Sequence, residues 1–150
     1  ELLVIAQGKT VCQGPVKEIF QNPEYVEAAR LTGCKNIASA RRMDEFTVDL
    51  PEWNVSLHTL QPLDLQLQAV GIRAHQLIPV WDQNDPSIVF PGDRWNLDEL
   101  PFERKYYFYC TADSSRPVCW FVQRDLWDLL DEKGFPCGFK IDPKDILYLK

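Results

Sequence analysis

Few side chains in this chain sit at spacings that support reaction chemistry. His58 and His75 are the only histidines, and neither has a Cys or carboxylate at metal-ligand spacing beside it, so no metal centre is expected. Cys12, Cys34, Cys110, Cys119 and Cys137 contain no C-x-x-C pair and are odd in number, which fits neither a zinc knuckle nor a complete disulfide framework. Thiols in that pattern read as small apolar groups, mostly buried, in a reducing cytoplasm. Gly8-Lys9-Thr10 has the last residues of a phosphate-binding loop but lacks the earlier glycine, and its context is a hairpin turn rather than a helix start. Ser114 and Ser115 lie in a turn, with no Gly-x-Ser-x-Gly elbow to present a nucleophile. The expectation is a chain with no catalytic residue, no metal and no cofactor of its own.

Binding chemistry has two places to reside. Lys35, Ser39, Arg41 and Arg42 are the densest set of donors, of the hydroxyl and cationic types that a tetrahedral oxyanion requires. The alternative, which is preferred, is a solvated strand with its basic residues on the wet face. Trp120 and the run Tyr106 to Tyr109 can form a stacking platform for a sugar or base, although alternating aromatics in a hairpin are more commonly core and cross-strand pairs. With 16 basic against 22 acidic residues the net charge is −6, which repels a phosphate backbone at long range. Nucleic acid is therefore not an expected partner.

The elements that would position these groups are short. The chain has 150 residues, 45% of them apolar, with 11 Pro and seven Gly, which predicts one β-rich body of many small elements. Leu3 to Ile5 and Thr10 to Cys12 flank Gln7-Gly8 as a β-hairpin. Pro15 opens a helix that Pro23 stops at Asn22, and Asn22 then caps a second helix that runs from Pro23 to Gly33. Phe46 to Leu50 and Leu63 to Leu67 alternate as strands. Asp82 to Pro101 reads as a long loop. Lys105 to Thr111 and Val118 to Val122 form a hairpin, Gln123 to Lys133 a helix closed by Gly134, and Gly138 to Leu149 a final strand. No apolar run approaches the ~20 residues of a membrane span, and the start lacks a signal-peptide layout, so a soluble chain is expected. The only Met is Met43, and the strand-like opening at Glu1 reads as an excised fragment.

A resemblance gathers these pieces. Gly8-Lys9, Gln13-Gly14-Pro15, Ile19-Phe20-Gln21-Asn22-Pro23 and Leu31-Thr32-Gly33-Cys34-Lys35-Asn36 resemble, in that order, the segment closing the nucleotide-binding domain of ABC import ATPases. Val70-Gly71-Ile72-Arg73-Ala74-His75 resembles the Gly-Ile-Arg-Pro-Glu/His element of the transport-associated OB-like (TOBE) domain, with Ala74 in place of Pro. Val89-Phe90-Pro91-Gly92 is similar to the Val-Phe-Pro-Gly of the molybdate-type subset, and the ending from Gly134 to Leu149 is similar to that domain's closing strand with its Ile-x-Pro-x-x-Ile pattern. Ser39-Ala40-Arg41 resembles the Ser-Ala-Arg of molybdate-binding modules. From Gly92 to Gln123 the chain departs from the family, with an aromatic-rich segment in place of compact strands.

The resemblance implies a mainly β fold with a few short helices: an OB-like β-barrel over residues 34–150, preceded by a hairpin and two short helices over 1–33 that end an ATPase domain. It implies a non-catalytic accessory domain that pairs ATPase subunits or senses a cytoplasmic oxyanion, with ATP and Mg bound upstream. Lys35, Ser39, Arg41 and Arg42 would meet the oxyanion, and Arg73 and His75 the ATPase domain. The implied partners are that upstream domain, a second ATPase subunit and, indirectly, membrane permease subunits at the inner face of the cell membrane. Residues 1–14, deprived of their sheet, are expected to pair with another copy as a homodimer or to fold back. The alternative is a free-standing OB-fold module binding oligosaccharide or nucleic acid through the aromatic hairpin.

Overall fold

The computed structural model describes residues 1–150 and is mainly β with three short α-helices. It opens with β1 (Leu2–Ala6) and β2 (Lys9–Gly14), joined by Gln7 and Gly8, both at positive φ as a tight primed hairpin turn requires. Pro15 then starts α1 (Val16–Gln21), which stops at Asn22 because Pro23 excludes a helical residue before it. The second helix, α2 (Val26–Leu31), starts three residues later than the sequence predicts. Glu24 adopts a left-handed φ of 55°, and the chain's last residue takes the polar groups on either side: Lys150 N–H donates to the Glu24 carbonyl, and Val26 N–H to the Lys150 carbonyl. A long-range backbone pairing thus displaces the expected Asn22 cap. The other end follows the local rule, with Gly33 at φ 89° just past the helix.

Twelve further strands follow in antiparallel ladders. They are β3 (Asn36–Ser39), β4 (Arg41–Arg42), β5 (Thr47–Leu50), β6 (Val55–His58), β7 (Ala69–Ile72), β8 (Ile78–Val80), β9 (Phe90–Pro91), β10 (Arg94–Leu100), β11 (Glu103–Tyr109) and β12 (Val118–Val122). After a 3-10 turn (Arg124–Leu126) and α3 (Trp127–Lys133) come β13 (Gly138–Lys140) and β14 (Leu147–Leu149). The ladders form five small sheets, ordered β1-β2, β14-β7-β3, β4-β5-β6, β8-β13-β9 and β10-β11-β12. No closed barrel is seen.

Three sequence expectations are corrected. Leu63 to Leu67 is a turn, because the Asp64 carboxylate captures the Gln66 N–H at 2.7 Å and leaves Leu65 83% exposed. Asp82 to Pro101 is only partly loop, since β9 and the seven residues of β10 lie within it and β10 pairs along its length with β11. The closing strand is two strands, split by a 3-10 turn at Pro143–Asp145 that the Asp142 side chain caps.

The main core is a cluster of 20 buried residues in which Trp53, Phe90, Phe108, Trp120 and Phe139 are fully enclosed. Phe108 stacks on Phe139 at 4.6 Å between ring centres, and Trp120 meets Phe139 edge-on at 4.8 Å. A second cluster joins Ala29 of α2 to Cys34, Ala69, Leu147 and Leu149. A third, smaller one holds the hairpin on the helices through Val4, Ile19 and Ala28, while Leu3, Ile5 and Phe20 stay exposed. β12 does not end the sheet as a bare edge. Asn36, 3% exposed, accepts the Cys119 N–H at 2.7 Å and donates to the Cys119 carbonyl at 2.8 Å, and Phe121 N–H donates to the Ala74 carbonyl.

Candidate functional site

The site with the most definite geometry is the junction between the two helices and the β body. β7 is buried at all four positions, between β3 and β14. Gly71 lets the strands pack closely there, since a Cβ would lie 3.2 Å from both Cys34 Sγ and Leu149 Cδ1, tighter than an ordinary contact. One residue past the strand, Arg73 leaves the core and reaches the helix ends. Its Nη1 donates to the Thr32 carbonyl at 2.8 Å, and its Nη2 donates to the Phe20 carbonyl at 2.6 Å and to Thr32 Oγ1 at 3.1 Å. Phe20 lies in the last turn of α1, and Thr32 caps the end of α2. Terminal carbonyls lack helical partners and carry the negative end of the helix dipole, so one guanidinium satisfies two helices at once. Burial pushes the nearby Cys34 thiol up, with the Arg73 charge opposing.

His75 stands exposed in the following turn, so of the pair nominated with it only Arg73 reaches the helices. His58 shares a hydrogen bond with Thr47 Oγ1 at 3.1 Å.

The four basic-cluster residues do not converge on a common pocket. Alternation along β3 turns Asn36 and Ala38 inward and leaves Lys35 and Ser39 outside. Arg41 pairs with Asp49 at 3.0 Å, while the Ser39 N–H donates to the Glu52 carboxylate at 2.6 Å. Arg42 Nε is buried without a partner. Burial alone would raise the Glu52 pKa, but the Ser39 N–H and the Arg116 guanidinium at 2.9 Å hold it below the ordinary glutamate value. None of the four residues lines any of the larger cavities.

Among the aromatics, Tyr106, Phe108 and Trp120 face the core, as preferred from the hairpin pattern. Sequence reasoning missed a different ring. Trp95 on β10 is 47% exposed and stacks on Phe135 at 5.0 Å with 16° between planes. It lines an open cavity of about 550 Å³ with Gln83, Asp85 and Asp93. The alternation of Trp95 and Leu97 with Asn96 and Asp98 was the available signal, but the prolines and charges around it read as loop.

No group of three or more His, Cys, Asp or Glu side chains is placed to hold a metal ion, and no helix is long and apolar enough to cross a membrane. All five cysteines are free thiols; Cys34, Cys110 and Cys119 are buried, and burial pushes Cys110 up to about 12. No protein-family model matches the chain, and no curated protein matches it.

Proposed function

We propose that this chain is a non-catalytic region of an ABC import ATPase subunit of the molybdate-type oxyanion class. Residues 1–33 close its nucleotide-binding domain, and 34–150 form an OB-like accessory domain whose small sheets correspond to an opened barrel. Its work is to hold paired ATPase subunits together at the cytoplasmic face of the membrane, and so to bias their open and closed states. One observation carries this reading. Arg73, in the segment resembling the accessory domain's Gly-Ile-Arg element, clamps the C-terminal carbonyls of both helices in the segment resembling the ATPase domain's end. A single side chain thereby couples movement of one part to the other. Scaffolding is favoured over oxyanion sensing because Asp49 and Glu52 already engage donors of the basic cluster.

The coding frame upstream of Glu1 tests the assignment. It is expected to hold a Gly-x-x-x-x-Gly-Lys-Ser/Thr loop, and a reading frame that opens at Glu1 overturns it. Calorimetric titration of molybdate, tungstate and sulfate separates the two roles, with absence of heat for all three expected of a scaffold.

The exposed Trp95 favours a second reading, a saccharide-binding module. A sugar ring stacks on one free indole face while Gln83, Asp85 and Asp93 accept its hydroxyl protons. Maltotriose and cellotriose are expected to change the Trp fluorescence of the native chain and not of Trp95→Ala. Unchanged spectra at millimolar sugar exclude it.

A further inference from the structure

Every residue of β10 is exposed. The strand pairs residue for residue with β11 on one side, without a bulge, and with nothing on the other, so alternate N–H and C=O groups along its outer edge have no partner. Natural sheets blunt such an edge by keeping it short, bulging it or covering it. At seven residues β10 exceeds the ~5–6 of a typical strand, and it is regular throughout. β12, on the far side of the same sheet, does receive cover, from Asn36 and the Ala74 carbonyl.

The side chains of this edge divide by face. Trp95 and Leu97 lie across from the core residues Phe108 and Tyr106, yet are 47% and 39% exposed. They form an apolar strip that is continuous with the core, through the Trp95 contacts with Tyr106 at 5.4 Å and Phe135 at 5.0 Å, and that stops at the open edge. Arg94, Asn96 and Asp98 occupy the opposite face. Asp98 makes no ion pair within the chain, and Arg94, which lies over the Tyr109 ring, has only the adjacent Asp93 carboxylate at 3.8 Å.

From Arg94 to Asp98 the strand is complementary to its own reverse. With two copies antiparallel about a twofold axis at Asn96, Arg94 stands opposite Asp98 of the second copy, Trp95 opposite Leu97 and Asn96 opposite itself, and symmetry repeats the first two pairs. An axis at Leu97 sets Trp95 against Glu99 and Arg94 against Leu100. An axis at Trp95 leaves only the stretch from Arg94 to Asn96 paired. One register alone matches charge with charge and apolar group with apolar group. β1 also has an open edge, but its exposed Leu3 and Ile5 carry no charge that fixes a register.

We propose that the outer edge of β10 is a self-association surface, on which a second copy of this chain lays its own β10 antiparallel and joins the two β10-β11-β12 sheets into one. A contact confined to one strand edge falls below the ~1,200–2,000 Å² of a standard interface, so the dimer is weak and forms by mass action. It is distinct from the pairing through residues 1–14 expected of the sequence. It is also independent of the transporter reading, which the coding frame upstream of Glu1 decides separately.

Sedimentation velocity of the native chain, in a concentration series up to millimolar, is expected to show reversible dimerisation. Arg94→Asp and Asp98→Arg each turn both cross-strand pairs from opposite to like charge, and each is expected to weaken the dimer about tenfold while the far-UV and Trp spectra stay native. An equimolar mixture of the two variants restores both pairs and is expected to associate about as well as the native chain. Residues directly opposed in an antiparallel pair have Cα atoms ~4.5–5.5 Å apart, inside the ~4.4–6.8 Å span of a disulfide. Asn96→Cys is therefore expected to form a covalent dimer under mild oxidation, faster than Leu97→Cys and above the background of the native thiols. The proposal is overturned by a native chain that stays monomeric at millimolar concentration, by a mixture that associates no better than its components, by Leu97→Cys crosslinking as fast as Asn96→Cys, or by a dimer that Ile5→Lys abolishes and the charge reversals leave intact.

Discussion

Replacing Arg73 with Met keeps an unbranched side chain and deletes the guanidinium that ties both helices to the β body. Three contacts are lost, to the Phe20 and Thr32 carbonyls and to Thr32 Oγ1. Hydrogen bonds to a charged group contribute about 1.5–3 kcal/mol each when enclosed. Arg73 is only half-buried, and water can rehydrate the freed carbonyls, so the sum is discounted to about 2–3 kcal/mol. That is a large share of the ~5–15 kcal/mol that holds a domain of this size together. Urea unfolding at neutral pH reads the total, and amide hydrogen exchange locates it. The Thr32, Gly33 and Cys34 N–H groups, bonded to the Ala28, Arg30 and Ala29 carbonyls, are expected to lose protection first. Arg73→Lys retains the charge, but a single ammonium lacks the fork that spans both helix ends, so roughly half the loss is expected to remain. A change below about 0.5 kcal/mol in Arg73→Met, with protection intact at those amides, would refute the clamp.

Asn36→Leu strips the Cys119 N–H and carbonyl of their partner while keeping the volume similar, and is expected to cost about 2–4 kcal/mol in urea unfolding; a neutral result would mean that water replaces the amide. Gly138→Ala places a Cβ 2.6 Å from Ile88 Cγ2 and 3.0 Å from the Phe90 carbonyl, so thermal unfolding should show a loss of about 1–3 kcal/mol, larger than for Ala at Gly14, which has only ordinary contacts. Glu52 has a folded pKa below its unfolded value, so its contribution is complete above roughly pH 4.3 and is lost as pH falls through the folded value. Stability curves from pH 6 to pH 2 are therefore expected to fall less steeply in Glu52→Gln than in the native chain, and superimposable slopes would discount the Ser39 and Arg116 contacts.

Local rules made several elements legible in the chain itself. Gln7-Gly8 dictates a primed turn, Pro23 stops α1 at Asn22, and Gly33 and Gly134 end α2 and α3 at positive φ, because each effect acts within a few bonds of backbone. The alternation of Tyr106, Phe108, Val118 and Trp120 likewise fixed which hairpin face is buried, since a strand's two faces are set by its period of two. The same period misled at Leu63, Leu65 and Leu67, where a side chain one residue along competes for the backbone. Resemblance drew attention to Arg73, but not to what it would hold.

Tertiary structure decided the rest. The start of α2 depends on Lys150 at the far end of the chain, the cover of β12 depends on Asn36, and a cleft brings His58 and Leu60 opposite Lys144 and Ile146. Each of these joins residues far apart in sequence, whose meeting is set by how five small sheets pack around one aromatic core. Propensity and capping carry no information across such distances, because they are properties of a single turn or strand. Burial and hydrogen-bond satisfaction act on the whole molecule, and only there do these groups become neighbours.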